Sequence, residues 1–196
     1  MSIEREEFEY VSSPIRHDAG LVLEKGKEYL VEALLRPLAQ EAGLISVQDF
    51  IQRLRIPTAS VMRRRVVEAM TTNETSFFRD LHPFESLRKT VLPEVIANRR
   101  DERKLLIWSA ACSTEQEAYT IAMIIREHFP ELANWTCRII GTDLSREVVA
   151  RARAGRFTQL EVNRGMPIQY LSRYFRRDKL DWEISKSCAR WWSLWK

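Results

Sequence analysis

Two segments of the sequence carry residue types that suit the binding of a nucleoside. Residues 109–117 run from small side chains into a predicted helix, whose first N–H groups are free to bind a ligand. Asp143 follows a predicted strand, where a carboxylate can accept two hydrogen bonds from the vicinal hydroxyls of an adenosine ribose. Asp143 is equally well placed to cap the helix after it, so both interpretations stay open.

Composition excludes several other classes of site and protein. The apolar runs are far too short to span a bilayer, and the acidic N-terminus is unlike a secretory signal. No basic segment is interleaved with stacking aromatics, and the net charge of +4 specifies no partner, so we predict no nucleic-acid binding. The cysteines show no paired spacing, which argues against a disulfide framework and a metal site and for a reducing cytoplasm. They are Cys112, Cys137 and Cys188.

The first third of the chain is predicted to be helical. Residues 1–23 are polar, and we expect them to be loosely ordered. Apolar residues at helical spacing predict helices over residues 25–42 and 46–55. A third helix is expected to start at a Thr58 cap and to reach Met70.

The middle of the chain alternates between strand and helix signals. After a helix at about 83–98, apolar runs at 105–108 and 137–141 predict two buried strands. Each is followed by a helix, the second opened by Ser145. This order is typical of a parallel α/β sheet, which binds ligands beyond the carboxyl ends of its strands. Since only two strands are evident, we expect the sheet to be incomplete.

One polar stretch is more specific than these patterns. Residues 71–80 read Thr-Thr-Asn-Glu-Thr-Ser-Phe-Phe-Arg-Asp. A core role for Phe77 and Phe78, with Thr75 as a helix cap, would leave the five polar residues and the arginine unexplained. The stretch resembles the hallmark of the chemotaxis receptor methyltransferases, the CheR family.

Further segments resemble the same family in the same order. Residues 107–123 are similar to its first nucleotide-binding motif, and residues 141–157 to its ribose-binding acid and the helix after it. Residues 166–175 and 181–185 resemble the segment that follows. Several ordered matches are far more specific than one motif.

The resemblance implies a fold and an activity. The fold class is α/β, with a helical receptor-docking domain over residues 1–75 and a Rossmann-like S-adenosylmethionine methyltransferase domain over 76–196, the latter incomplete. The activity is methyl transfer from S-adenosylmethionine to glutamate carboxylates of chemoreceptors, which gives methyl esters. A glutamate with a pKa of about 4.3 is already ionised at neutral pH and needs no general base. We expect a cytoplasmic monomer, not inserted in the membrane, that acts on the cytoplasmic domains of methyl-accepting chemoreceptors.

The resemblance also assigns site residues. Arg79 is implied to lie near the reacting centre, where a guanidinium can clamp a carboxylate with two hydrogen bonds. A structural salt bridge to Asp80 or Glu74 is the alternative. Glu117 would face the positively charged cofactor, and Asp143 would hold the ribose. The implied cofactor-binding residues are Asn73, Thr75, Arg79, Glu117 and Asp143.

An arginine-rich segment is the candidate receptor-docking surface. Between Ile51 and Met70 five arginines stand against one acid, Glu68. The resemblance implies that this surface docks the acidic methylation helices of receptors. The alternative is a solvated helix face on which Arg64 pairs with Glu68 at helical spacing. The five are Arg53, Arg55, Arg63, Arg64 and Arg65.

The sequence departs from the family pattern at Glu115, where the family usually has glycine. Glycine permits positive φ and close approach of a ligand to the backbone. Left-handed geometry would cost glutamate about 1–2 kcal/mol. We therefore predict weaker cofactor binding, and tighter binding in Glu115→Gly.

The second departure is in residues 188–196, where three tryptophans replace the family's continuation. A change of reading frame near residue 187 would explain them, because tryptophan has a single codon and the adjacent frame can spell a family-like segment. An aromatic tail that packs on a partner is the alternative. The function therefore has an alternative too: a catalytically inactive fragment that binds receptor or cofactor.

Overall fold

The computed structural model describes residues 3–189 and 192–194. The chain divides into two compact units, Met1–Thr72 and Asn73–Lys196. The division lies three residues before the predicted domain boundary, so Asn73 and Thr75 belong to the second unit.

Four helices build the first unit in its described part, and three of them lie where apolar spacing predicts them. Phe50 and Ile51 of the third helix are almost fully buried, and they pack in one core with Val31 and Leu35 of the second. The cap of the fourth helix differs from the prediction, because the helix starts after Ala59 rather than at Thr58. The helices are α1 (Arg5–Ala19), α2 (Glu28–Glu41), α3 (Val47–Leu54) and α4 (Ser60–Met70).

The prediction of a loose N-terminus was wrong. Residues Arg5–Ala19 form α1, the longest helix of this unit, which buries Phe8, Val11 and Ile15 in the helical core. These three side chains recur at intervals of three and four residues, which places them on one helix face. The helix also has a capping box, in which Glu4 and Glu7 satisfy each other's backbone N–H groups.

The second unit begins at Asn73, inside the 71–80 stretch, which is irregular, and continues as alternating helices and strands. Its strand and helix order agrees with the α/β prediction from about residue 83 onwards. Its elements are α5 (Leu81–Ser86), a π-helical segment (Leu87–Val91), α6 (Leu92–Asn98), β1 (Lys104–Ala110), α7 (Gln116–His128), a 3₁₀ helix (Pro130–Asn134), β2 (Thr136–Thr142), α8 (Arg146–Ala154), β3 (Arg156–Thr158), α9 (Gln159–Asn163), α10 (Ile168–Tyr174), β4 (Phe175–Asp178), β5 (Asp181–Ile184), α11 (Lys186–Ala189) and β6 (Trp192–Leu194).

A parallel sheet with the order β1-β2-β6 positions the site. β1 and β2 pair in parallel along their whole length, from Lys104 opposite Thr136 to Ala110 opposite Thr142. Both strands therefore end at the same level, and the loops after them leave the sheet side by side. α7 lies over one face with a nearly continuous buried side that includes Ile121.

A second, antiparallel sheet with the order β3-β5-β4 was not predicted from the sequence. Its strands have three or four residues and carry charged side chains, as in Phe-Arg-Arg-Asp of β4. Short polar strands of this kind give no period-2 apolar signal.

Two of the tryptophans that prompted the reading-frame hypothesis, Trp191 and Trp195, lie outside the described residues. Among the described residues, no helix is long and apolar enough to cross a membrane. Within the same ranges no three His, Cys, Asp or Glu side chains converge as a metal site.

Candidate functional site

The loop after β1 adopts an unusual backbone at the shared edge of the sheet. Ala111, Ser113 and Glu115 all have positive φ, of 54°, 51° and 76°. The loop is held to the next strand, because the Cys112 N–H donates to the Thr142 carbonyl at 3.0 Å. Non-glycine residues held at positive φ store strain, which tends to occur at ligand-binding positions.

Asp143 connects the loop after β1 with the loop after β2 at this edge of the sheet. One carboxylate oxygen accepts a hydrogen bond from the Ser113 N–H at 2.8 Å, and the other accepts one from the Ser145 N–H at 2.9 Å. The cap of α8 is the Ser145 hydroxyl, which accepts from the Val148 N–H, so Asp143 is not the helix cap. Its carboxylate is half-buried and each oxygen has a second lone pair available to a ligand.

The 71–80 stretch reaches the same edge. The Ser113 hydroxyl donates to the Asn73 carbonyl oxygen at 2.8 Å, which ties the start of the stretch to the loop after β1. The structure thus brings together Asn73, the loop after β1 and Asp143. Asn73 is exposed and Thr75 is half-buried.

The aromatic pair in the stretch anchors it to the second unit. Phe77 is fully buried, and its ring meets Phe157 edge-to-face at 4.9 Å between centroids. Phe78 is half-buried against Tyr170. Gly165 lies so close that a Cβ there would be 2.1 Å from the Phe77 carbonyl oxygen. The pair therefore has the core role that the sequence left as an alternative, and it fixes the polar residues on either side.

Arg79 is exposed and makes mainly local contacts. Its guanidinium donates to the Glu74 carbonyl oxygen at 2.8 Å and lies 3.9 Å from a carboxylate oxygen of Asp80. The Glu74 side chain instead pairs with Arg164. The hydrogen bond and charge of Arg164, followed by the charge of Arg79, lower the pKa of Glu74. These contacts use only some of the five N–H donors of the Arg79 guanidinium, so the guanidinium can still bind a carboxylate.

The carboxylates at the start of α7 differ in exposure. Glu117 is exposed, and one of its oxygens accepts a hydrogen bond from the Ser109 hydroxyl at 3.3 Å. Glu115 is fully buried, and an oxygen of its carboxylate would lie only 1.8 Å from a Cβ added at Gly141. The positive φ anticipated for a glycine position is thus present at Glu115, whereas its side chain lies beneath the loop against β2.

The buried Glu115 carboxyl acts electrostatically on its neighbours. Burial raises the pKa of the Cys112 thiol, and the hydrogen bond and charge of Glu115 and the charge of Asp143 raise it further. The pKa of Tyr119 is raised by burial and then by the charge of Glu115. The sequence indicated the cost of left-handed geometry at Glu115, but it did not predict that the carboxyl is buried.

The five candidate docking arginines have different environments. Arg63 donates to three carbonyl oxygens between α3 and α4, those of Leu54, Ile56 and Pro57. Its guanidinium therefore holds this connection rather than facing outward as a docking group. Arg55 contacts Glu6 at 3.1 Å, and Arg65 pairs with Glu41.

The two remaining arginines, Arg53 and Arg64, are exposed. Neither has an ion pair within residues 3–189, and the pairing of Arg64 with Glu68, considered as the alternative, does not form there. Their charges are the ones left available to a partner.

Comparison with known proteins identifies the region that contains this edge. Residues 73–190 match the family described as CheR methyltransferase, SAM binding domain. Chemotaxis protein methyltransferase Cher2 of Pseudomonas putida is 38% identical over 180 residues, which are 89% of this chain and 64% of that protein. Chemotaxis protein methyltransferase 1 of Pseudomonas aeruginosa is 39% identical over 180 residues, which are again 89% of this chain and 64% of that protein. The chemotaxis protein methyltransferase of Vibrio parahaemolyticus is 38% identical over 85% of this chain and 60% of its own length. The chain thus spans just under two thirds of these relatives.

Proposed function

Since the chain belongs to the CheR methyltransferase family, we propose that it transfers methyl groups to glutamate carboxylates of chemoreceptors and forms glutamyl methyl esters. The observation that carries the proposal is the convergence of Asn73, the loop after β1 and Asp143 at one sheet edge, inside the matched region. The relatives' printed names support a role in chemotaxis.

The cofactor of this family is S-adenosylmethionine. When bound, it supplies an activated methyl group on a positively charged sulfur. The donor set at the edge fits such a molecule, because a half-buried carboxylate suits ribose hydroxyls and further acids suit a cation. Asp143 is proposed to accept hydrogen bonds from the ribose hydroxyls, and Glu117 is proposed to face the positively charged sulfur of the cofactor. Asn73, Thr75 and Arg79 are proposed to line the methionyl end.

The reaction requires little of the protein beyond positioning the accepting carboxylate and the methyl group. The accepting glutamate is ionised at neutral pH, so no residue has to remove a proton. Holding the carboxylate in line with the methyl group supplies most of the rate enhancement in a transfer of this kind. The Arg79 guanidinium is exposed and has unused donors, and we assign it the clamping of the substrate carboxylate.

The first unit is proposed to dock the acidic methylation helices of the receptor. Among the five candidate docking arginines, the exposed Arg53 and Arg64 are the best candidates for this contact, whereas Arg63 stabilises the connection between α3 and α4. A protein that acts on cytoplasmic receptor domains would work in the cytoplasm, which is part of the proposal. Charge attraction of this kind speeds association and is screened by salt.

A transfer assay tests the proposal directly. Receptor-bearing membranes are incubated with the chain and S-adenosylmethionine labelled in its methyl group. We expect label on the receptor that is released as methanol by mild alkali, because methyl esters hydrolyse there and methyl amines do not. Arg79→Lys is the matched variant: it keeps the charge but removes the two-pronged geometry, and we expect it to lower transfer by a larger factor than it weakens cofactor binding.

Two results would contradict the proposal in different ways. Cofactor binding without label on any receptor would favour the alternative, an inactive chain of the family that binds cofactor or receptor. Alkali-stable label would contradict ester formation, since it would point to a different acceptor atom.

A further inference from the structure

The direction of the Arg79 side chain depends on the main chain of Glu74. The Arg79 guanidinium donates a hydrogen bond to the Glu74 carbonyl oxygen at 2.8 Å. The residues on either side of Arg79, Phe78 and Asp80, have positive φ of 49° and 53°. Non-glycine residues persist in this region only where surrounding contacts hold them. The contacts that fix residues 74–80 therefore also fix where Arg79 points.

Arg164 and Gly165 supply two of these contacts from the turn after α9. The Arg164 guanidinium donates to the Glu74 carboxylate, 90 positions away in the sequence, and forms an ion pair with it. Gly165 lies against the Phe77 carbonyl oxygen, which a Cβ at residue 165 would meet at 2.1 Å. Phe77 is itself fully buried. The same turn thus holds the stretch at residue 74 by charge and at residue 77 by close packing.

The charges of the Glu74–Arg164 pair follow from its surroundings. Both side chains are exposed, so burial opposes neither charge strongly. The hydrogen bond and charge of Arg164, and then the charge of Arg79, lower the pKa of Glu74, so its carboxylate is ionised at neutral pH. An exposed pair contributes little to the stability of the fold. Its effect is therefore expected on the local orientation of residue 74 rather than on folding.

We propose that Arg164 is a positioning residue, which acts through Glu74 to hold the Arg79 guanidinium where it clamps the substrate carboxylate. This role rests on the proposed function, since the clamp is the role assigned there to Arg79. Without the pair, the Glu74 carbonyl and the guanidinium bonded to it gain freedom to move. A displaced clamp lowers the rate because the accepting carboxylate is less often in line with the methyl group.

Transfer kinetics of the full chain on receptor-bearing membranes test the proposal, with S-adenosylmethionine labelled in its methyl group. Arg164→Ala should lower kcat about threefold, which lies in the range that an exposed ion pair can supply. The KM for the receptor should change less than about twofold, because docking is assigned to the first unit. Arg164→Lys keeps a charge beside Glu74 and should recover about half of the lost rate.

A double substitution decides whether Arg164 acts through Arg79. Arg79→Lys has already lost the two-pronged contact, so adding Arg164→Ala should lower kcat by less than about 1.5-fold more. An Arg164 that bound the receptor itself would act independently, and the two factors would multiply. Multiplication would therefore overturn the proposal. Glu74→Gln weakens the same pair and should also lower kcat, whereas a higher rate would mean that Glu74 competes with the substrate and would contradict the proposal.

Arg99→Ala is the matched control. Arg99 is also exposed, and it pairs with Glu102 at 3.6 Å in the segment before β1, away from the edge where β1 and β2 end. Its removal costs a similar ion pair and should leave transfer unchanged.

The outcomes separate the proposal from the proposed function. Unchanged transfer in Arg164→Ala would overturn the role of Arg164, while the proposed function would stand. If the parent chain transfers no label, the proposed function fails and the role of Arg164 fails with it. The midpoint of thermal unfolding of Arg164→Ala should stay within about 2 °C of the parent value. A midpoint that falls well below this range together with the rate would indicate a purely structural role and would also overturn the proposal.

Discussion

Replacing Glu115 by glycine and by alanine separates backbone strain from the effect of the side chain. Both variants lack the carboxyl and leave a similar space beside Gly141, so their difference reports on the φ of 76°. Left-handed geometry costs a non-glycine residue about 1–2 kcal/mol. Against this, alanine gains about 0.4–1 kcal/mol over glycine because it restricts the unfolded chain. We therefore expect Glu115→Gly to be more stable to unfolding than Glu115→Ala by about 1 kcal/mol.

Denaturant unfolding followed by tryptophan fluorescence measures this difference. All six tryptophans lie in the second unit, so the signal reports on the unit that contains Glu115. The control is Ala150→Gly at an exposed position of α8, where ordinary helix geometry should make glycine the less stable residue by about 1 kcal/mol. If alanine at 115 proved as stable as glycine, the left-handed backbone and the strain derived from it would be refuted.

Three further predictions, made with four substitutions, test other parts of the structure. Gly165→Ala should destabilise the second unit by about 3 kcal/mol, because the new methyl group meets the Phe77 carbonyl oxygen. The same unfolding assay measures this loss, and wild-type stability would contradict the contact. Asp143→Asn should weaken S-adenosylmethionine binding at least about tenfold in calorimetry, since an amide replaces one acceptor by a donor; undiminished affinity would remove Asp143 from the ribose site. Arg63→Ala should cost about 1–2 kcal/mol of thermal stability, whereas Arg64→Ala should stay within about 0.5 kcal/mol and lower receptor binding instead. The reverse order for the two arginines would contradict their assignment.

The sequence predicted the elements that repeat a simple pattern. Apolar spacing located α2, α3 and α7, and apolar runs located β1 and β2. The expectation that the 105–108 strand is buried on both faces was wrong, because Leu106 and Trp108 are 64% and 70% exposed and only the opposite face of β1 is buried. The polar N-terminus concealed α1, although Phe8, Val11 and Ile15 carried the signal at helical spacing. Its serine pair and internal proline argue against a helix locally, and burial of the three apolar side chains outweighs them.

The sequence predicted where the candidate site lies, but it did not predict the hydrogen bonds that connect the residues of the site. Motif resemblance pointed to Asp143 and to the loop after β1, and the parallel register explains why the two meet. The bond from Ser113 to Asn73 joins residues 40 positions apart, which no local pattern reveals. The direction of the Glu115 side chain depends in the same way on the space above Gly141, a property of the assembled strands.

Amide hydrogen exchange with and without S-adenosylmethionine tests the central claim most directly, because it shows where the cofactor binds. We predict slower exchange on addition of the cofactor in residues 73–79, 109–117 and 141–146, with the helices of the first unit unchanged. Protection confined to other segments, or no protection at a saturating concentration, would contradict the assignment of the cofactor to the shared edge of β1 and β2.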